Sequence, residues 1–133
     1  MLEAYSKDVT VNGGANIPLN NLAIVKGKSA VLQGSASIAL NACGIYRVTV
    51  NANVTPSSAG VASVQLAKNG ALVDYAISQV TAEASSVYTL GFETLVQVSR
   101  SNTNCPCSAP TVISVVNGLA GDVDVNVIVD KIV

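Results

Sequence analysis

The chain has 133 residues, of which half are hydrophobic, only 4% aromatic and 11% charged. With a formal charge of −1, no basic cluster and no histidine, it offers no footing for a nucleic-acid backbone, no Ser–His or Cys–His catalytic pair and no histidine-bearing metal site. No run approaches the roughly 20 apolar residues of a membrane-spanning helix, and Met1-Leu2-Glu3-Ala4-Tyr5-Ser6-Lys7-Asp8 lacks the basic flank and apolar stretch of a secretory signal.

A single domain of this length buries about two thirds of its unfolded surface, so a core forms without metals or staples. Val and Ala carry the apolar content. Val is β-branched and suits a pleated sheet, and a core of such small pieces favours packed sheets over a roomy cavity. Charged residues fall well below the ~25% of an ordinary soluble domain. Burial of surface between subunits is the simplest account of that deficit.

In chain order almost every segment reads as strand, and no window of helical length sustains an i, i+3, i+4, i+7 apolar pattern. Residues 1–7 read as an N-terminal arm preceding the first strand, Asp8–Asn12, which Gly13-Gly14 ends. Ile17–Lys26 follows, interrupted by Pro18 and Asn20-Asn21, and Gly27 turns the chain. Ala30–Leu40 carries Gly34 at its middle, where a bulge or kink is expected. The clearest strand is Ile45–Val54: Tyr46, Val48, Val50, Ala52 and Val54 share one face, and Arg47, Thr49, Asn51 and Asn53 the other. The core is expected to be lined by Tyr46, Val48, Val50, Val64 and Leu66.

Pro56–Gly60 is a turn, and Val61–Ala67 alternates again. Lys68-Asn69-Gly70 predicts a tight hairpin, because Asn-Gly tolerates the positive φ such turns require. Leu72–Val80 returns, Thr81–Ser86 is a polar connection, and Val87–Arg100 is a long strand with a break expected at Gly91. Ser101–Pro110 is a polar loop holding Cys105-Pro106-Cys107, and Thr111–Val116 and Asp122–Val133 close the chain. Eight or nine strands at short spacing are the signature of a sandwich or barrel. Several are apolar on both faces: Ile113 and Val115 oppose Val112 and Val116, while Ile128 and Ile132 oppose Val123, Val125, Val127 and Val129. An antiparallel sheet with one wet face alternates cleanly, so these strands call for a second covering surface, most simply another copy of the chain.

Gly44-Ile45-Tyr46 opening a long strand, followed by the Leu66-Ala67-Lys68-Asn69-Gly70 hairpin, resembles the jelly-roll domains of the C1q and tumour-necrosis-factor superfamily. Ile17-Pro18-Leu19-Asn20-Asn21, the Gly44 segment and Thr103-Asn104-Cys105-Pro106-Cys107 are similar to small proteins carried by bacteriophages of gut bacteria. The resemblance covers roughly residues 8 to 133. It implies an all-β jelly-roll β-sandwich that assembles as a homotrimer through one sheet of each protomer, and a structural place on a phage head or fibre. The collagen-like Gly-X-Y stalk and aromatic-rich strands of the animal branch are absent, which argues against signalling or complement-type recognition.

The carboxylates are few and scattered, and no glycosidase pair can be assembled from them. Asp122 and Asp124 share a strand face but lack a glycine-rich calcium loop; a solvated edge is the expected setting. Three readings of Cys43, Cys105 and Cys107 stand side by side: free thiols in a reducing cytoplasm, a disulfide from Cys43 to Cys105 or Cys107 formed as a virion meets an oxidising world, and a soft-metal or cluster site where three subunits meet. Three cysteines leave one unpaired within a protomer, which also admits a bond between subunits. Asn53-Val54-Thr55 matches a glycosylation acceptor but carries no weight in a bacterial or phage product.

The sequence is therefore read as a non-enzymatic virion component without cofactor or resident metal. It is expected to be made in the host cytoplasm and carried on the outer surface of the capsid as a trimeric head decoration protein. Its partners are other copies of itself and the major capsid protein, with no nucleic acid and no membrane. Leu2 and Tyr5 of the arm are the expected attachment residues. Two other roles share the fold: a receptor- or glycan-binding head domain of a fibre, and a bacterial surface-coat trimer.

Overall fold

A computed structural model describes residues 1–99 and 111–133. Ten strands run in order: β1 (Leu2–Val11), β2 (Asn21–Val25), β3 (Ala30–Gln33), β4 (Ser37–Leu40), β5 (Gly44–Pro56), β6 (Gly60–Lys68), β7 (Ala71–Ala82), β8 (Tyr88–Val98), β9 (Thr111–Asn117) and β10 (Gly121–Lys131). They form two five-stranded antiparallel sheets packed as a sandwich: sheet A in the order β2-β1-β10-β5-β8, and sheet B in the order β3-β4-β9-β6-β7.

The long alternating strands behave as their pattern dictates. Tyr46, Val48, Val50, Ala52 and Val54 of β5 point into the sandwich beside Val123, Val125, Val127 and Val129 of β10, and Val64, Leu66, Ile113 and Val115 meet them from sheet B. Each such aliphatic side chain contributes on the order of 1.5–3 kcal/mol when fully buried. All five residues expected to line the core are at most 1% exposed. Tyr46 keeps its polar end satisfied: its hydroxyl donates to the Ala42 carbonyl at 2.7 Å, lies 3.3 Å from the Ser29 carbonyl and accepts the Ala42 N–H at 3.2 Å. At the β6–β7 hairpin Asn69 and Gly70 both take positive φ, 52° and 82°, as a two-residue turn of that hand requires.

Four expectations are corrected. The first seven residues are not a free arm: they form most of β1, which pairs with β10 on one side and β2 on the other, and Leu2 and Ala4 are fully buried. The boundary at residue 8 is instead a bulge, where Asp8 takes φ 54° and the register with β10 shifts between Ser6 and Val9. The stretch from Ile17 becomes a strand only at Asn21. Before that, the Ser6 hydroxyl donates to the Pro18 carbonyl at 2.6 Å and accepts the Asn20 N–H at 2.8 Å, holding the chain across the sandwich end while Ile17 and Leu19 plug the core.

Ala30–Leu40 is not one kinked strand but a hairpin, β3 and β4, in which Gly34 at φ 67° belongs to the turn. Conversely, β8 runs unbroken through Gly91, which pairs with Asn51. A Cβ on Gly91 would come within 2.9 Å of the Val50 carbonyl and 3.0 Å of Asn51 Oδ1. Glycine there permits close strand approach rather than a break.

Candidate functional site

The sandwich has two open sides, and both are apolar. On one side β2 is the outer strand of sheet A. All five of its residues are exposed, including Leu22, Ile24 and Val25, so it overhangs the sandwich and covers nothing. An exposed apolar edge strand presents unpaired backbone groups and invites another chain. On the other side β7 and β8, the outer strands of sheets B and A, lie against each other. Opposite Leu66 the register of β7 slips, since Gln65 pairs with Ile77 while Ala67 pairs with Leu72. Of the extra residues, Ala76 is buried and Val73 packs against the core, while Tyr75 is 79% exposed. Tyr75, Val73, Leu66, Ile45 and Leu95 line a cleft of about 420 Å³ there, with Lys68 Nζ donating to the Gln97 carbonyl across its mouth at 3.0 Å.

Charge is divided unevenly between the sheets. Strands of sheet A carry Glu3, Lys7, Asp8, Arg47, Glu93, Asp122, Asp124, Asp130 and Lys131, whereas those of sheet B carry only Lys68 and Asp74. The outward face of sheet B is instead Val31, Val61, Ile77, Val112 and Val116 interspersed with Ser, Thr and Gln. Arg47 and Glu93 approach to 3.5 Å on the outward face of sheet A, and such an exposed pair adds little to stability.

Of the residues singled out from sequence, Leu2 sits in the core and is unavailable to a partner, while Tyr5 is partly exposed on the outward face of sheet A. Asp122 and Asp124 are not at a sheet edge, because β10 is the central strand. Asp122 accepts the Thr10 hydroxyl at 2.8 Å and Asp124 accepts the Asp8 N–H at 2.6 Å across the bulge. Among the described residues no cluster of three or more acidic or cysteine side chains is arranged to hold a metal. Cys43 is disulfide-bonded; Cys105 and Cys107 lie outside the described residues. The edge residues Leu22, Ile24, Leu72, Tyr75 and Leu95 were not distinguished by sequence reasoning. The unalternating Leu22-Ala23-Ile24-Val25 run was the available signal.

No protein-family profile matches the chain, and no curated protein sequence does. Solved structures do match along its whole length. The globular domain of zebrafish complement 1qA superposes with a TM-score of 0.76 at 6% identity, covering 99% of this chain and 96% of that one. The Eiger tumour necrosis factor of S. frugiperda gives 0.75 at 10% identity over 100% and 92%. The fold is the C1q/tumour-necrosis-factor jelly roll. Within that fold the chain is also similar to the PRD1 vertex protein P5, with a TM-score of 0.63 at 15% identity over 99% of this chain and 96% of that one.

Proposed function

We propose that the chain is a non-enzymatic structural protein of a virion: a homotrimer that decorates the outer surface of a phage head by binding the major capsid protein, after synthesis in the host cytoplasm. The assembly rests on the two apolar sides. They differ from one another and lie on opposite sides of the protomer, so the contact they support is head-to-tail, and such contacts close into rings when the rotation allows. The number three is what the likeness to C1q and tumour-necrosis-factor jelly rolls supports, and the β2 overhang meeting the Tyr75–Leu95 wall is the contact proposed to close the ring. The place on a virion draws its support from the likeness to PRD1 vertex protein P5, a phage vertex protein of the same fold.

Because β1 is integral to sheet A, attachment falls to a face rather than an arm. The outward face of sheet B suits it, since the valine-rich, charge-poor surface loses little solvation when covered. Three such faces per trimer would bind as a linked set and gain avidity without strong individual contacts. Imaging of purified particles tests the reading. Wild-type protein should stud the heads, and Val61→Glu, an exposed change on sheet B, should leave the trimer intact but strip it from them. Copies found only at tail or fibre tips would overturn the decoration role.

A further inference from the structure

The chain holds three Asn-Gly pairs, Asn12-Gly13, Asn69-Gly70 and Asn117-Gly118. Asparagine is a thermally labile residue, and a following glycine, having no Cβ, leaves its own nitrogen open to the asparagine side chain. In sequence the three pairs look alike. The fold separates them.

Asn117 is 1% exposed and clamped. Its Nδ2 donates to the Val11 carbonyl at 3.2 Å and to the Leu119 carbonyl at 2.8 Å, and the Gly118 N–H donates to the Ser63 carbonyl at 2.9 Å. Asn69 is exposed, but its Oδ1 accepts the Val112 N–H at 2.9 Å, which ties the side chain across to β9. Asn12 and Gly13 are both exposed and lie just past the end of β1. Among the described residues neither the Asn12 side chain nor the Gly13 N–H has a hydrogen-bond partner. The turn they open is closed by a long bond, from the Ala15 N–H to the Asn12 carbonyl at 3.3 Å. A cyclic imide forms only when Asn Cγ swings onto the next nitrogen, so the pair with the fewest restraints reacts first.

We propose that Asn12 is a site of spontaneous deamidation in the folded protein. The Gly13 nitrogen bonds to Asn12 Cγ as it gives up its proton, and the Cγ–Nδ2 bond breaks, releasing ammonia. Water then opens the imide. Attack at the side-chain carbonyl leaves aspartate, attack at the main-chain carbonyl leaves isoaspartate, and either product carries a new negative charge. No oxidant, metal or enzyme takes part.

The charge arrives beside another, since Asn12, Thr10, Ser57 and Asp122 line one hollow of about 360 Å³ at the end of the sandwich. Isoaspartate also lengthens the main chain inside a tight clasp, where the Gly14 N–H donates to the Asn117 carbonyl at 2.7 Å and the Asn117 N–H to the Ala15 carbonyl at 2.9 Å. The modification therefore falls where the chain leaving β1 is pinned to the end of β9, and it depends neither on assembly nor on a capsid.

The test ages the full-length protein at neutral and at mildly alkaline pH, beside the same protein in denaturant, until the denatured chain has reacted. Peptides are followed by mass spectrometry, with fragmentation that separates aspartate from isoaspartate. In the folded protein the deamidation mass increment should appear first at Asn12, in both product forms and faster at the higher pH. Asn69 should lag by about fivefold, the effect of opening one hydrogen bond, and Asn117 by more than about a hundredfold, since three must open together. In denaturant the three pairs should react at similar rates. Asn12→Gln should lose the increment at that position, and Gly13→Ala should slow it several-fold. Asn69 or Asn117 reacting as fast as Asn12 in the folded protein, or Asn12 staying intact while the denatured chain reacts, would overturn the proposal. So would an unchanged rate in Gly13→Ala, which rules out the imide route.

Discussion

Leu2 lies directly opposite Val129 in sheet A, and both side chains are fully buried. The second residue of the chain is thus tied to the central strand of its sheet, and β2 hangs from the same β1. Removing residues 1–7 deletes the partner of both, so the truncated protein is expected to lose its cooperative unfolding transition. Leu2→Ala should cost about 2–5 kcal/mol, as a cavity in a packed core does, while Tyr5→Ala should cost much less. Denaturant titrations of the two point variants check this; equal, negligible costs would mean that β1 is dispensable after all.

Val50 and Arg47 lie on opposite faces of β5. Val50 is fully buried, whereas Arg47 is half exposed and, among the described residues, ion-pairs with Glu93 alone. Val50→Ala should cost about 1–3 kcal/mol through lost burial and a residual cavity. Arg47→Ala should shift stability by less than about 1 kcal/mol, and still less at high salt. Chemical denaturation of both variants in low and high salt measures the contrast.

The strands that were legible in the sequence are those whose two faces differ. β5 and β6 show their inward sets, Tyr46 to Val54 and Ala62 to Leu66, as plain alternation, and Asn69-Gly70 announces its own turn. Elsewhere the pattern carried less information. Leu2, Ala4 and Ser6 alternate with Glu3, Tyr5 and Lys7, but the run is short, polar-rich and terminal, and reads equally well as an arm. Gly34 and Gly91 look alike in sequence, yet one makes a turn and the other a close strand crossing; only the partner strand decides. The apolar run of β2 is ambiguous for a further reason: a doubly buried strand shows the same pattern, and here it belongs to an overhang.

Tyr46 makes the fold sensitive to alkali. Burial pushes its phenol above the ordinary value near 10, and its hydrogen bonds with Ala42 and Ser29 offset that only in part. In the unfolded chain the phenol ionises near pH 10, while in the folded protein it holds its proton to higher pH. The contribution of this group is therefore complete below about pH 10 and is lost as pH rises through the folded-state value. Tyr46→Phe should flatten that part of the stability profile at a cost of about 1–2 kcal/mol at neutral pH, where the Ala42 N–H and C=O lose their partner. Thermal melts from pH 7 to 11 on both proteins give the comparison, and an identical alkaline slope in the variant would remove Tyr46 as the cause.

Assembly gives the sharpest test of the two apolar sides. Leu22, Ile24 and Val25 on β2, and Leu72, Tyr75 and Leu95 on the opposite side, are all substantially exposed in one protomer. If they meet between copies, each contact buries several large side chains at roughly 1.5–3 kcal/mol apiece before the cost of association, and a closed ring of three gains it three times. Sedimentation equilibrium should then give about 40 kDa, three times the 13.5 kDa protomer. Ile24→Glu and Leu95→Glu place a charge on opposite partners of the same contact, so either alone should yield folded monomer. Mixing them should not restore a closed ring, because a copy carrying one change still meets a partner through its intact side only once. Ile24→Lys mixed with Leu95→Glu differs: opposite charges would face each other at some contacts, and partial reassembly at low salt, lost at high salt, is expected. A wild-type protein that remains monomeric at micromolar concentration would show that these two sides do not meet, and trimers that survive both glutamates would move the interface to another surface of the sandwich.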